Sequence, residues 1–337
     1  MKKILLLPGD GIGVEVVVAA RTVLEALPRV VPDLRFEFAE ALIGMAALRA
    51  GLDAVPEATV EAAKTADGCL LGAIDEAALP KGVRGLGRFR GLLGGYANVR
   101  PVKAFSGVSC LCPDLDVVVV RENTEGLYSG IEFETGPGAA CAVRVITRQG
   151  SEQVARVAFE LARGRRRRVT AVHKLGSLKR TDGLFLETVR AVGAAYPEVA
   201  LETRNIDAAA MELILHPAHF DVILATNMFG DILSDVAAGL AGGIGLAPSA
   251  VLGDRYAYFE PVHGTAPDIA GKGIANPMAA ILAAALMLDH VKESAAARAI
   301  ERAVTALLAD GGPRTPDLGG SATTAEVAAA VVARLGA

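Results

Sequence analysis

Residues 1–13 read M-K-K-I-L-L-L-P-G-D-G-I-G. The apolar run 4–7 has the length and composition of a buried strand, Pro8 and Gly9 punctuate it, and a helical pattern begins near Gly13. A glycine-rich turn between strand and helix is the setting in which a dinucleotide-binding G-x-G-x-x-G would count. Val14 stands where its last glycine belongs, and no acidic residue in strand context follows at the expected distance. The turn is therefore not a Rossmann fingerprint. It reads either as a plain strand-to-helix turn or as a loop that helps wall a cofactor cleft.

The same alternation continues with a strand pattern at 35–38, helical stretches to Ala66 and an apolar run at 68–71. Such βαβ alternation predicts an α/β fold with a largely parallel sheet covered by helices. After Tyr96 the character changes: strand-like runs at 117–120 and 141–147 flank a turn-rich 135–138. A helix near 151–163, a strand at 169–172, a helix near 178–195 and a strand at 222–225 follow. Beyond about Val251 come a loop-rich segment and helices at 277–290, 295–309 and 324–335, which lack strands of their own and should pack back onto the first sheet. The expected domains are a discontinuous large one, 1–98 plus 251–337, and a small one, 99–250. No internal repeat or low-complexity linker is visible.

Composition narrows the function. With 337 residues, 52% of them hydrophobic, and a net charge of −4, neither disorder nor general nucleic-acid attraction is indicated. The apolar residues before Pro8 are too few for a signal peptide, and the run 279–288 is too short to cross a bilayer, so a cytoplasmic protein without membrane contact is expected. Cys69, Cys110, Cys112 and Cys141 offer no paired C-x-x-C and no zinc site. The basic run 165–168 lacks interleaved aromatics and reads as a solvated helix end rather than a nucleic-acid patch.

Chemistry concentrates elsewhere. In N-M-F-G-D-I-L-S-D at 227–235, Asp231 and Asp235 are four apart and would share one helix face. That is either a solvated acidic face or a pair of hard oxygen ligands suited to Mg²⁺ or Mn²⁺. Asp207 adds a carboxylate among apolar neighbours. Arg90, Arg100, Arg121 and Lys174 adjoin glycine-rich or strand-like segments and look like anion clamps, although each alone could be a surface ion pair. In H-G-T-A-P-D-I-A-G-K-G-I-A-N-P at 263–277, glycines permit close approach to a ligand, Asp268 could accept from a ribose 2′-hydroxyl, and Asn276 could bond an adenine edge. A carboxylate there favours NAD over NADP.

Together G-D-G-I-G at Gly9, Y-A-N-V-R-P at Tyr96, R-E-N-T-E-G-L-Y-S-G at Arg121, H-K at His173, G-D-I-L-S-D at Gly230, H-G-T-A-P-D-I-A-G at His263 and T-P-D-L-G-G at Thr315 carry a resemblance. The chain resembles, nearly end to end, the β-hydroxyacid oxidative decarboxylases: the isocitrate, homoisocitrate, 3-isopropylmalate and tartrate/malate dehydrogenases. The resemblance implies that family's own large and small α/β domains, not a Rossmann fold. It implies that Arg90, Arg100 and Arg121 hold the malate part of the substrate and that Asp231 and Asp235 bind the metal. Asp207 would complete the metal site of a neighbouring subunit, so that a homodimer, or a tetramer of dimers, shares its active sites. By the same resemblance Lys174 takes the hydroxyl proton, nearby positive charge favouring its neutral form, and Tyr128 protonates the enol carbon. His263, Gly264, Asp268, Ile269 and Asn276 would bind NAD.

For the substrate, the motifs at Arg121 and His173 resemble the isocitrate and homoisocitrate branches. The segment before Tyr96, where the family reads the substituent on C3, has Arg84, Leu86 and Gly87, with Arg88 close to where homoisocitrate enzymes often place an arginine. The expected order is homoisocitrate ahead of isocitrate, with 3-isopropylmalate, or tartrate and malate, as alternatives. H-K-L-G-S departs from the family by placing Gly176 where an asparagine is general. A weakly active regulatory subunit of a hetero-oligomeric dehydrogenase is the reading of a different class.

Overall fold

Ile4, Leu5, Leu6 and Leu7 form the middle of β1 (Lys2–Gly9), and all four are buried. An apolar run without alternation is what a strand covered on both faces requires. The computed structural model describes residues 1–336. The chain divides into two units. The first holds Met1–Gly94, Ala104–Pro113 and the chain from Ala241 onward; the second holds Gly95–Lys103 and Asp114–Leu240.

The first unit begins with β1, α1 (Gly13–Ala26), β2 (Phe36–Glu40), α2 (Met45–Arg49), α3 (Glu57–Thr65), β3 (Gly68–Ala73) and α4 (Leu86–Leu93). The second contains β4 (Ala97–Lys103), β5 (Asp116–Glu122), β6 (Glu132–Gly136), β7 (Ala139–Ala142), α5 (Arg148–Arg163), β8 (Arg168–His173), α6 (Thr181–Gly193), β9 (Ala200–Asn205), α7 (Ile206–Leu215), β10 (Val222–Ala225) and α8 (Asn227–Leu240). The first then resumes with β11 (Pro248–Leu252), β12 (Ala257–Pro261), α9 (Met278–His290), α10 (Ser294–Ala309) and α11 (Thr324–Val332).

In the first unit the strand order is β2-β1-β3-β12-β11, parallel except for the β11–β12 pair. Leu5, Leu7, Val55, Leu71, Phe89 and Tyr258 build one apolar cluster, which also buries Cys69 completely. Of the three helices expected on this sheet, α9 packs against β3, β11 and β12, whereas α10 packs on α9 and α11 on α1. In the second unit the order is β4-β5-β10-β8-β9, parallel except for β4–β5. β6 and β7 form a separate antiparallel hairpin that is exposed throughout and carries Cys141.

The two antiparallel pairs qualify the expectation of a largely parallel sheet. Hairpin-type neighbours need no crossover helix, so they leave no βαβ signature; β11 and β12 fall where the sequence reads as loop-rich. The units also exchange at other residues than 98/99 and 250/251. β4 pairs with β5 along its whole length, from Ala97 opposite Glu122 to Lys103 opposite Asp116, and so joins the second unit. Residues 104–113 return to the first, where Gly107 approaches the Leu308 carbonyl so closely that a Cβ there would lie 2.1 Å from its oxygen.

The basic run follows the end of α5, and Arg166 and Arg167 are exposed as in a solvated helix end, but Arg165 and Arg168 are half-buried and committed to partners. Arg165 Nε donates to the buried Asp221 Oδ1 at 2.8 Å and Arg165 Nη2 to Asp116 Oδ1 at 2.8 Å, while Arg168 donates to the His219 carbonyl at 2.7 Å. Arginine forks here satisfy carboxylates and carbonyls at strand ends. Among the described residues no helix is long and apolar enough to cross a membrane.

Candidate active site

In the second unit, the charged centre starts from a close approach of α8 to β5. A Cβ at Gly230 would lie 2.7 Å from Cβ and 2.8 Å from Cγ of Arg121, so only glycine lets the helix come this near. The proximity brings the Arg121 guanidinium, 2% exposed, onto the first turns of α8. Its Nε donates to the Asn227 carbonyl at 2.9 Å, Nη2 to Asn227 Oδ1 at 2.6 Å, and Nη1 to Asp231 Oδ1 at 2.5 Å. Arg100, on β4 and also buried, donates from Nη1 to Ser234 Oγ at 2.7 Å and to Asp231 Oδ1 at 3.2 Å, and from Nε to Asn98 Oδ1 at 3.1 Å. Tyr128 donates its hydroxyl to Asp231 Oδ2 at 2.6 Å, and its ring lies 5.0 Å from the Arg121 guanidinium carbon.

Asp231 is thus the common acceptor of Arg100, Arg121 and Tyr128. Asp235, one turn on, is more exposed, with its Oδ1 3.6 Å from Arg100 Nη1. Desolvation raises its pKa; Arg100 opposes the shift and the neighbouring Asp231 charge adds to it. Two carboxylates one turn apart are a hard-oxygen donor set, and a divalent cation would relieve their repulsion, so the residues present fit Mg²⁺ or Mn²⁺.

Asp207 does not join them. It stands in the first turn of α7, largely exposed, and its Oδ2 pairs with Lys174 Nζ. Among the described residues no three His, Cys, Asp or Glu side chains assemble to hold a metal. Lys174 and Asp207 therefore form a second cluster of their own, below which the buried Asp182 accepts from the Lys174 backbone N–H at 2.5 Å.

The first unit contributes separately. Arg90, buried on α4, donates from Nε to Tyr258 Oη at 3.1 Å and from Nη2 to Glu260 Oε1 at 3.4 Å. Burial works against its charge, but Tyr258 and Glu260 outweigh that and raise its pKa. Leu86 packs on the apolar cluster, Arg88 is exposed, and the Arg84 guanidinium lies over Gly87, 2.9 Å from where a Cβ would be.

In the 263–277 loop, His263 Nδ1 contacts the Gly264 carbonyl at 2.9 Å, while its Nε2 is buried without a hydrogen-bond partner. Desolvation lowers the His263 pKa, which keeps the ring neutral. With the proton assigned to Nδ1, Nε2 is a buried acceptor left unsatisfied within the chain. Gly264 and Asp268 are exposed and Ile269 is half-buried. The Asn276 amide is already committed: Nδ2 donates to Asp317 Oδ2 at 2.9 Å and Oδ1 accepts from the Met278 N–H at 3.0 Å. The G-D-G-I-G turn meets this same loop, since the Ile12 N–H donates to the Thr265 carbonyl at 2.9 Å and a Cβ on Gly11 would lie 2.2 Å from that oxygen. Asp10 inside the turn caps α2, accepting from the Met45 and Ala46 N–H groups at 2.9 Å each.

Several partners escape the sequence reading. Asn98 and Ser234 carried a local signal, being i−2 from Arg100 on a strand and i+3 from Asp231 on a helix. Tyr258 and Glu260 carried none, since they lie about 170 positions from Arg90.

A family model described as isocitrate/isopropylmalate dehydrogenase matches residues 3–331. The chain is 52% identical over 336 residues to the 3-isopropylmalate dehydrogenase of Archaeoglobus fulgidus, covering 99% of this chain and 100% of that one. It is 48% identical over 337 residues to the isocitrate/homoisocitrate dehydrogenase of Thermus thermophilus, covering 99% and 98%. The crystal structure of isocitrate dehydrogenase from Methylococcus capsulatus superimposes with a TM-score of 0.93 at 44% identity, covering 99% of each chain.

Proposed function

Because the chain belongs to the isocitrate/isopropylmalate dehydrogenase family, whose members are dehydrogenases acting on a CH–OH group, we propose that it oxidises the 2-hydroxyl of a 3-substituted malate and releases CO₂. The observation that carries this reading is Asp231, shared by two buried arginines and a tyrosine, with Asp235 one turn away. When bound, NAD would accept the hydride, and a divalent cation on Asp231 and Asp235 would act as a Lewis acid on the oxygen at C2. Arg100 and Arg121, with Arg90, hold substrate carboxylates; Asn98, Ser234 and Asn227 keep the first two guanidiniums immobile. Lys174 takes the hydroxyl proton, and Tyr128 delivers a proton to C3 after decarboxylation. His263, Gly264, Asp268 and Ile269 bind NAD, with Asp268 disfavouring a 2′-phosphate, while Asn276, its amide committed to Asp317 and the Met278 N–H, shapes the loop rather than reading the adenine.

Two copies complete one site in this reading. Asp207, Met211, Ile214 and Leu215 follow i, i+4, i+7 and i+8 spacing on α7, and all four are exposed. An apolar stripe beside an exposed carboxylate suits a second copy of the chain, to whose Asp231 and Asp235 it would bring Asp207 and Lys174.

Among 3-substituted malates we place 3-isopropylmalate first and homoisocitrate second, reversing the order expected from sequence. Leu86 is the apolar residue of the segment and packs on the core cluster, Arg88 is exposed, and Arg84 occupies the space over Gly87 that a longer substituent would need. Relatives at 52% and 49% identity carry 3-isopropylmalate in their names. Initial rates with NAD⁺ and Mg²⁺ or Mn²⁺ across 3-isopropylmalate, homoisocitrate, isocitrate, malate and tartrate test it. The highest kcat/KM on a tricarboxylate, lost in Arg88→Leu, would overturn the ranking; no turnover on any of them would overturn the reading.

A further inference from the structure

At the base of the exposed β6–β7 hairpin, Arg144 is held on every side. Its Nη1 donates to Asp182 Oδ1 at 2.5 Å and to Thr181 Oγ1 at 2.6 Å, its Nη2 donates to Thr226 Oγ1 at 3.0 Å, and its guanidinium carbon lies 5.5 Å from the centre of the Phe229 ring. Asp182 is fully buried, and its other oxygen accepts from the Lys174 N–H. Thr226 is also buried and directly precedes Asn227, the residue that grips Arg121 at the start of α8. The residue after Arg144, Val145, bridges to Gly126, and its N–H donates to the Gly126 carbonyl at 3.3 Å. Gly126 opens the turn that carries Tyr128.

We propose that Arg144 is the positioning residue of the site: its guanidinium ties the segments that carry Lys174 and Asp231, and the backbone beside it, at Val145, ties in the segment that carries Tyr128. The inference rests on the proposed roles of those residues. A planar fork with two arms suits this role. One arm satisfies the buried carboxylate that holds the Lys174 backbone, and the other reaches the hydroxyl at the entrance of α8. Removing the guanidinium takes from the fully buried Asp182 carboxylate the cation it is paired with. The three segments are separated by tens of residues, so the chain's own continuity cannot hold them in register.

Hydrogen exchange read by mass spectrometry on the protein without substrate or metal tests the tie directly. Arg144→Met should speed exchange about tenfold in residues 126–131, 174–178 and 226–231 together, leaving β9 unchanged. Guanidinium chloride at low millimolar concentration should slow all three again, and on the wild-type substrate it should restore part of a reduced kcat. Should Arg144→Met fail to fold, Arg144→Lys is read in the same way, with smaller changes expected in the same segments. Faster exchange confined to residues 142–147, or spread evenly over the second unit, would overturn the proposal. Since exchange needs no turnover, failure of the dehydrogenase reading would show as absent activity in wild type with the exchange pattern intact.

Discussion

Gly230→Ala sets a packing cost against a helix-forming gain on one residue. In a helix interior alanine is favoured over glycine by about 1 kcal/mol. Here the new methyl would fall 2.7 Å from Arg121 Cβ and 3.2 Å from its Cα. Those atoms belong to the stem of a residue in β5, hydrogen-bonded between β4 and β10, and cannot swing aside as a side-chain tip could. Overpacking of this kind costs about 1–3 kcal/mol, so after the helix-forming gain the net change is a destabilisation of about 1 kcal/mol, up to about 2. Gly239 supplies the control on the same helix, exposed and with nothing within 4 Å of an added Cβ; Gly239→Ala should stabilise by about 0.5–1 kcal/mol. The two variants should melt about 2–3 °C apart, at roughly 1.4 °C per kcal/mol for a chain of 337 residues. Calorimetry supplies the measurement, and steady-state rates should fall only in Gly230→Ala, because pushing α8 outward lengthens the contacts of Asp231 and Asn227 with Arg121. A Gly230→Ala protein that melts at or above wild type with full activity would refute the close-approach argument.

The ion pair between Lys174 and Asp207 dictates how complementation must be designed. Because both residues travel together, a mixed dimer of Asp207→Ala and Asp231→Ala subunits should regain activity, whereas Asp207→Ala mixed with Lys174→Ala should not; the opposite pattern, with mixed dimers verified by mass, would sink the shared-site reading. Asp235 has a folded-state pKa raised chiefly by desolvation, so its ionised form costs stability above that pKa and the cost vanishes below the ordinary carboxylate range. In EDTA, Asp235→Asn should therefore melt above wild type at pH 7 and converge with it near about pH 3.5; a lower melting point at pH 7 would show that the Arg100 pairing outweighs desolvation. Excess EDTA should abolish turnover, and Asp231→Asn should remove most of it even in saturating Mg²⁺. On the proposal that Asp268 accepts from the ribose, kcat/KM should favour NAD⁺ over NADP⁺, and a preference for NADP⁺ would displace Asp268 from that role.

What could be read from the chain alone follows the range of the forces involved. The strand at 222–225 coincides with β10, a short apolar run, and α9 and α10 begin and end within a residue of the expected helices, being runs rich in the strong helix formers alanine and leucine. β11, β12 and β4 were hidden, since strands paired antiparallel with the next strand along the chain need no crossover helix and leave no βαβ alternation to mark them. The same split runs through the site. Asp231 and Asp235 were visible as an i, i+4 pair and Arg121 as part of a motif, yet nothing local announced that Gly230 is the reason Arg121 can reach Asp231. Arg144 lay unremarked in A-V-R-V-I, and the run 165–168 suggested a solvated end because its acceptors, Asp116 and Asp221, are about 50 positions away.

Cys69 lies in β3, completely buried in the cluster that holds Tyr258, and burial, with Glu260 nearby, pushes its thiol far up from the ordinary range. Thiolate at that position is scarce while the strand stays covered. Cys141, on the open hairpin of the other unit, has no such protection. One alkylating reagent applied to the unmodified protein would therefore tag Cys141 at once and the partly exposed Cys110 and Cys112 after it, leaving Cys69 as a slow clock paced by each exposure of the sheet that anchors Arg90. Comparing the slow clock with and without ligands would time the breathing of that sheet without a single engineered label.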